Sequence, residues 1–540
     1  VPFIFYDTET TGTIRDFDQI LQFAAILTDD NLKEIDRFEI RCRLLPWVIP
    51  APMALKITGI HPDRLTDPNL PSFYSMMCAI KETLSSWGQA IFIGYNTIKF
   101  DEPLLQRAFW QSLHPPYHTV TNGNARMDLY PLVQAASHLT KDALLIPQND
   151  KGGPSFKLDR LAPLNGFNHA NAHDALSDVE ATIHIARLLS ERSPALWSHA
   201  VRHSAKAACA QLAASADPIL VVEHFGAASM WWGMRLDEGG PSASVASPST
   251  AQLARLDRDW AGLRLEPAEA LAKALSASPK PIRSLRLNQA PLLFSMPQAQ
   301  ALWGLAPSEV EHTTHASLKA DQDFRARLLK AAEPDPWPEP EHLEQMMVGA
   351  FPSRQDEAVM RRFHQADWPD KAALIREFEN DSLKRLAQRL VFAEAPGLLS
   401  SEDANRLHQA IGERLHQDHG DKSLWRTIPA ARRELKDVSA MDGGAAIAKD
   451  IEAWLQGLAV RHPTSSILSA RDDDGDAALA RANNAEPHIL YEVPSGYVRS
   501  PDDIDGSYEL LDIDEQREYL ESLASQGNAL AARLLRALDV

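Results

Sequence analysis

The chain has 540 residues, 44% of them hydrophobic and 24% charged, which gives it apolar mass for about three or four domains and excludes a disordered or fibrous protein. Cys42, Cys78 and Cys209 show no paired ligand spacing, so neither a disulfide framework nor structural zinc is expected, and the setting is a reduced, cytoplasmic one. The net charge of −19 is uneven, because residues 346–540 hold 23 Lys and Arg against 34 Asp and Glu; overall charge therefore argues against non-specific duplex binding but not against a local basic groove.

Phe3-Ile4-Phe5-Tyr6 is an aromatic and β-branched run that reads as a buried strand. Residues two apart on a strand share a face, so Asp7 and Glu9 project together from its end, and Thr10, Thr11 and Gly12 turn the chain away. Two adjacent carboxylates repel unless a cation separates them, and hard divalent cations take oxygen ligands. Asp-x-Glu alone is equally a solvated turn. Ile91-Phe92-Ile93-Gly94-Tyr95 reads as a second buried strand, followed by Asn96 and then by Asp101 at the start of a helix carried by Leu104, Leu105, Ala108 and Phe109. Taken singly, Asp101 is a helix cap.

The third piece is Asn171-Ala172-His173-Asp174-Ala175-Leu176-Ser177-Asp178. Ala175, Leu176, Val179, Thr182, Ile183 and Ala186 form a helical stripe reaching Leu189, with His173 at or just before its start and Asp178 one and a half turns inside. A histidine near a helix N-terminus favours its neutral form, which can accept a proton from an attacking water. Metal-assisted phosphodiester hydrolysis needs carboxylates that hold two divalent cations about 3.5–4 Å apart, together with a base. Asp7, Glu9, Asp101, His173 and Asp178 supply both.

Helical patterning continues to about Ala216, where Ile219-Leu220-Val221-Val222 opens a strand-rich region containing Trp231-Trp232 and residues 282–287. Trp231, Trp232, Arg235, Arg283 and Arg286 are candidates to line a nucleic-acid path by stacking and phosphate contact, although core packing is the favoured reading of the two tryptophans. Residues 239–250 read as an inserted flexible loop and 333–340 as a stiff proline-rich linker. Helices rich in Ala, Leu and Arg then run through Arg433, 451–460 and 516–538, with acidic runs at 471–476 and 501–515 as solvated surface. No run of about 18 apolar residues exists, so no membrane span is expected.

The five residues resemble the DEDDh branch of the ribonuclease-H-like exonucleases, in which a histidine precedes the last aspartate by five positions; Ile57-Thr58-Gly59-Ile60 and Gly94-Tyr95-Asn96 fit the same pattern. Leu21-Gln22-Phe23-Ala24-Ala25-Ile26, Pro154-Ser155-Phe156-Lys157-Leu158-Asp159-Arg160-Leu161, Asp217-Pro218-Ile219-Leu220-Val221-Val222, Ala290-Pro291-Leu292-Leu293 and residues 392–399 are similar to the exodeoxyribonuclease I family. That likeness covers roughly residues 1–430; the stretch 117–127 departs from it by lacking the expected tryptophans. The resemblance implies a multidomain α/β protein, with a ribonuclease-H-like exonuclease domain at 1–192, an SH3-like barrel at 193–340 and an all-α C-terminal domain with an acidic tail at 341–540. It implies 3′→5′ digestion of single-stranded DNA to nucleoside 5′-monophosphates, in DNA repair and recombination, with two Mg2+ per site and Mn2+ as a substitute.

By the same resemblance Asp7 would bridge both ions, Glu9 and Asp178 would complete one site, Asp101 would support the second through water, and His173 would deprotonate the nucleophile. Glu9, Thr58, Asn96 and Lys157 would contact the substrate. The implied partners are single-stranded DNA and the C-terminal tail of single-stranded-DNA-binding protein, docked near Lys141 and Lys206, with the enzyme a monomer. The rivals are a proofreading or RNA-trimming DEDDh exonuclease, disfavoured by the long later regions, and a non-catalytic nucleic-acid-binding clamp, disfavoured by the intact carboxylates.

Overall fold

The computed structural model describes residues 1–168, 174–225, 227–237, 250–333, 339–347, 351–420 and 423–464. His173, nearly all of the 239–250 stretch, the centre of the 333–340 segment and everything beyond 464, including the acidic runs and 516–538, lie outside the described residues.

The N-terminal half is built on a mixed sheet of β1 (Phe3–Thr10), β2 (Ile20–Thr28), β3 (Glu34–Arg41), β4 (Ile91–Gly94) and β5 (Ala125–Asp128), in the order β3-β2-β1-β4-β5. β1 and β2 are antiparallel, as are β2 and β3, whereas β1, β4 and β5 run parallel, which is the ribonuclease-H-like arrangement. Its helices are α1 (Pro52–Thr58), α2 (Phe73–Ser86), α3 (Asp101–Gln111), α4 (Leu129–Leu139), α5 (Leu158–Leu164) and α6 (Ala175–Arg192). A strand at the sheet centre has both faces covered, and the period of two then sorts its side chains between two cores. Phe3 and Phe5 join Val133, Val179 and Ile183 on one face, while Ile4 and Tyr6 join Met77, Phe92 and Phe109 on the other. β3, with the sequence EIDRFEIR, is mostly exposed, and its charges protect the sheet edge from further pairing.

Two helices, α7 (Pro194–Arg202) and α8 (Lys206–Ala213), lead to a second, antiparallel sheet. It comprises β6 (Ile219–Phe225), β7 (Ala227–Arg235), β8 (Thr250–Arg255), β9 (Ile282–Arg286) and β10 (Leu292–Ser295), in the order β10-β6-β7-β8-β9. Trp231 and Trp232 face opposite sides of β7, and both are buried in apolar clusters. They are core residues, not stacking platforms. The Arg235 guanidinium pairs with Asp237 at 2.9 Å and that of Arg283 with Glu223 at 2.9 Å. Helices α9 (Ala268–Leu275), α10 (Met296–Trp303), α11 (Glu309–Ala320) and α12 (Gln322–Ala331) complete this region.

The remaining described residues are helical: α13 (Arg354–Gln365), α14 (Trp368–Leu374), α15 (Asp381–Glu394), α16 (Ser401–His416), α17 (Ile428–Ala440) and α18 (Gly444–Arg461). Ile411 of α16, Leu435 and Val438 of α17, and Ile451 and Leu455 of α18 lie in the same apolar cluster as Ile4 and Tyr6 of β1. On the other face, Leu220, Val222, Trp232 and Met234 of the second sheet share a cluster with Phe3 and Phe5. The apolar clusters on the two faces of the first sheet thus continue into the second sheet on one side and into the C-terminal helices on the other. None of the described helices is long and apolar enough to cross a membrane.

Candidate active site

The strand pairing β1–β2 breaks register between Glu9 and Thr10, an irregularity of the kind that re-aims side chains at the rim of a sheet. The turn that follows is pinned by Asp18, which accepts from the Thr11 hydroxyl at 2.7 Å and from the Ile14 backbone N–H at 2.7 Å. Gly12 is required there, because a Cβ would stand 2.6 Å from Asp18 Oδ2.

At the end of β1, Asp7 and Glu9 each bring a carboxylate oxygen within 4.8 Å of one another and of Asp178. Asp178 lies in the first turn of α6, not one and a half turns inside, because the helix starts only at Ala175 with Asp174 as its cap. Asp174 also ties this helix start to the sheet: it accepts from Gln22 Nε2 at 3.1 Å and from Arg41 Nη2 at 2.5 Å, and Gln22 is the residue directly across from Glu9. Asp101 opens α3 and accepts a short hydrogen bond from the Thr8 hydroxyl, so the residue between the two β1 acids holds the fourth one beside them.

Two further acids support the site, and sequence reasoning missed both. Asp128, at the end of β5, accepts backbone N–H bonds from Asn96 at 2.8 Å, Ile98 at 3.1 Å and Tyr130 at 2.9 Å. It thereby fixes the chain between β4 and Asp101, where Asn96 takes a left-handed φ of 65°. Glu102 accepts from the Tyr6 hydroxyl at 2.7 Å, from Gln106 at 3.1 Å and from Arg126 at 3.3 Å, and also from the Thr119 hydroxyl. The only sequence signals were an aspartate before the α4 apolar pattern and a second acid after Asp101, both ordinary for helix starts.

The electrostatics are those of acids forced together. Burial and the neighbouring carboxylates of Asp101, Asp178 and Glu9 hold Asp7 well above the usual carboxylate range. Burial, with Asp178 and Asp101, pushes Glu9 up to about 8, and burial raises Asp101 to about 7 although the Thr8 hydroxyl opposes it. Arg41 opposes the shift of Glu9, but its guanidinium is bonded to Glu39 and Asp174. Such a cluster keeps its charge when a divalent cation compensates it, and its all-oxygen donors match a hard ion. The residues present therefore fit one.

Other sequence candidates stand at the surface. Thr58 ends α1, with its hydroxyl donating to the Ala54 carbonyl at 2.9 Å. Asn96 and Lys157 are exposed, and their segments are tied together by the Tyr95 hydroxyl donating to the Phe156 carbonyl. Lys141 is exposed in a turn, and Lys206 is half-buried at the start of α8.

Residues 4–186 match the family model described as Exonuclease. Exodeoxyribonuclease I of Escherichia coli is 35% identical over 208 residues, covering 38% of this chain and 43% of the relative. That of Buchnera aphidicola from Acyrthosiphon pisum is 36% identical over 197 residues, covering 36% and 47%. The chain thus matches under half the length of these curated relatives. Structural likeness reaches further: the exonuclease I of Methylocaldum szegediense aligns over 85% of this chain and 99% of its own, with a TM-score of 0.72 at 24% identity. The E. coli exonuclease I solved with a dT13 oligonucleotide aligns over 85% and 99%, with a TM-score of 0.73 at 22% identity. The acidic cleft accordingly lies in a segment that matches an exonuclease family, within a chain that has the fold of exonuclease I.

Proposed function

We propose that the protein is a metal-dependent 3′→5′ exodeoxyribonuclease that degrades single-stranded DNA to nucleoside 5′-monophosphates. The observation that carries this reading is the convergence of Asp7, Glu9 and Asp178, with Asp101 alongside, in a segment similar to exodeoxyribonuclease I. Asp7, Glu9 and Asp178 would hold divalent metal, with Asp101 supporting a second ion; Mg2+ suits the oxygen donors and Mn2+ would substitute. When bound, the two ions would supply charge neutralisation for the attacking and leaving oxygens of an in-line displacement.

The chain's own groups do the rest. His173, two positions before α6 in the sequence, would take the proton of the attacking water. Thr8 and Asp128 position Asp101 and its approach, and Asp174 with Gln22 and Arg41 position α6 and with it Asp178. Thr58 and Asn96 would lie along the 3′-terminal nucleotide with Glu9, and Lys157 would meet a phosphate.

The region 1–192 serves as the exonuclease domain, 193–340 as a barrel-type domain and 341–540 as the helical one, together gripping one strand as a monomer. Support for the substrate comes from the similar E. coli enzyme solved with dT13, and support for a docked single-stranded-DNA-binding protein from the similar structure described as SSB/Exonuclease I. The deciding experiment digests end-labelled single-stranded DNA, duplex DNA and RNA side by side, with Mg2+ and with chelator. Release of mononucleotides from the single strand alone, abolished by chelator, is the expected result; preference for RNA or duplex ends overturns the substrate assignment.

A further inference from the structure

Away from the acidic cleft, Cys78, His114 and His364 each place one potential ligand atom within 4.8 Å of the others. Cys78 belongs to α2, His114 follows α3, and His364 belongs to α13, so the group joins the first sheet's helices to the C-terminal helices. His114 is only 6% exposed, and its Nε2 is buried without a hydrogen-bond partner. Buried polar atoms normally find partners, so an orphaned imidazole nitrogen beside a thiol and a second imidazole points to a ligand.

His364 is oriented as metal-binding histidines are. Its Nε2 donates to the Leu113 carbonyl at 2.9 Å, the backbone bond that fixes the tautomer, so the other nitrogen carries the lone pair, which accepts from the Tyr74 hydroxyl until an ion displaces that bond. That nitrogen, Nδ1, lies 3.0 Å from the Tyr74 hydroxyl and 3.9 Å from Cys78 Sγ. With zinc bonds of about 2.3 Å to sulfur and about 2.0 Å to nitrogen, a tetrahedral ion separates the two donors by about 3.6 Å. The rings of His114 and His364 stack with centroids 3.8 Å apart and planes 2° from parallel, so their in-plane lone pairs run side by side and one ring has to turn for both to reach a shared ion. Coordination by Cys78 releases its thiol proton to solvent.

We propose that Cys78, His114 and His364 form a structural site for a borderline-soft divalent ion of the zinc class, with a fourth position for water, fastening α13 to α2 and the end of α3. Sulfur and nitrogen donors separate it chemically from the all-oxygen cleft, which suits Mg2+.

The test uses the full chain, stripped with chelator and titrated with Co2+ and then Zn2+, alongside Cys78→Ser, His364→Gln and Asp7→Asn. Wild type and Asp7→Asn should develop thiolate-to-cobalt charge-transfer absorption saturating at one equivalent, lost on adding Zn2+. Cys78→Ser should show none of it, and His364→Gln should bind Zn2+ at least tenfold more weakly. One equivalent of Zn2+ should raise the Tm of wild type and not that of Cys78→Ser. Absence of the absorption in wild type overturns the site, as does its persistence in Cys78→Ser. Should Cys78→Ser fail to fold, the wild-type titration and His364→Gln decide the matter by the same criteria.

Discussion

Two regions of this molecule bury carboxylates, and they solve the problem in opposite ways. In the cleft, Asp7, Glu9 and Asp101 face other acids and are held above the usual range. Among the C-terminal helices, Glu344 is 2% exposed yet stands 2.7 Å from Arg414 and 3.0 Å from Arg389. Burial alone would raise its pKa, but the two guanidiniums outweigh burial and hold it at about 2. The Arg414 guanidinium in turn lies 4.6 Å over the Trp425 ring. A buried acid with its cation already in the fold is structural; buried acids left to repel one another mark a place where a cation must come from outside. The contrast separates architecture from function without reference to any relative.

The comparison can be broken most severely at Asp7. Asp7→Asn should abolish nucleotide release while single-stranded DNA, followed by fluorescence anisotropy, still binds; near-normal hydrolysis would remove the cleft from the chemistry. His173→Ala comes next, with a loss of roughly 100- to 10,000-fold in rate. Wild-type activity should rise with pH through the imidazole range, because the neutral ring is the base, and the variant should lose that limb. An unchanged rate and profile would leave His173 as a helix cap.

Glu344→Gln should do the reverse of Asp7→Asn. Removing the carboxylate charge that faces two buried guanidiniums costs about 3–5 kcal/mol of stability, read by chemical denaturation, with hydrolysis unchanged at temperatures where the variant stays folded. The sign of the pH dependence follows from the depressed value: the contribution of Glu344 is full above its ordinary 4.5 and is lost as pH falls toward about 2. The variant should lose that part of the acid transition; an identical acid profile would mean the pair carries no stability.

The smallest effect is expected at Thr8→Val. Its hydroxyl donates to Asp101, and a hydrogen bond to a charged group is worth about 1.5–3 kcal/mol, so a rate loss of roughly 10- to 100-fold is expected. The metal concentration for half-maximal activity should rise with it; an unchanged metal dependence would reduce Thr8 to packing.

Local pattern carried much of this. Phe3-Ile4-Phe5-Tyr6 and Ile91-Phe92-Ile93 are buried strands as their short length and aromatic and β-branched content predict, and the period of two aimed Asp7 and Glu9 to one side. The expected multidomain α/β architecture is present, with a helical C-terminal part. The start of α6 was legible only to within a few residues, because Asp174 caps the helix through a hydrogen bond to Ser177 and through contacts to β2 and β3 that no local window contains. The roles of Asp128, Glu102 and Gln22 were illegible for the same reason: each acts across strands.

By itself, then, the sequence determined β1, β4, the start of the strand-rich region at β6, the apolar stripe of α6 and the acids Asp7, Glu9, Asp101 and Asp178 available to the cleft, because periodicity and residue chemistry are properties of neighbours along the chain. Tertiary structure alone decided which charges meet and where each core ends. Ile451 and Leu455 of α18 join the apolar cluster that also holds Ile4 and Tyr6 of β1, so that cluster continues past Arg192 into the C-terminal helices. Cys78, His114 and His364, from three separate segments with no ligand spacing between them, come within 4.8 Å of one another. Apolar burial is non-directional and draws together whatever faces are unsatisfied, and the polar groups carried on those faces acquire partners that no spacing rule could assign.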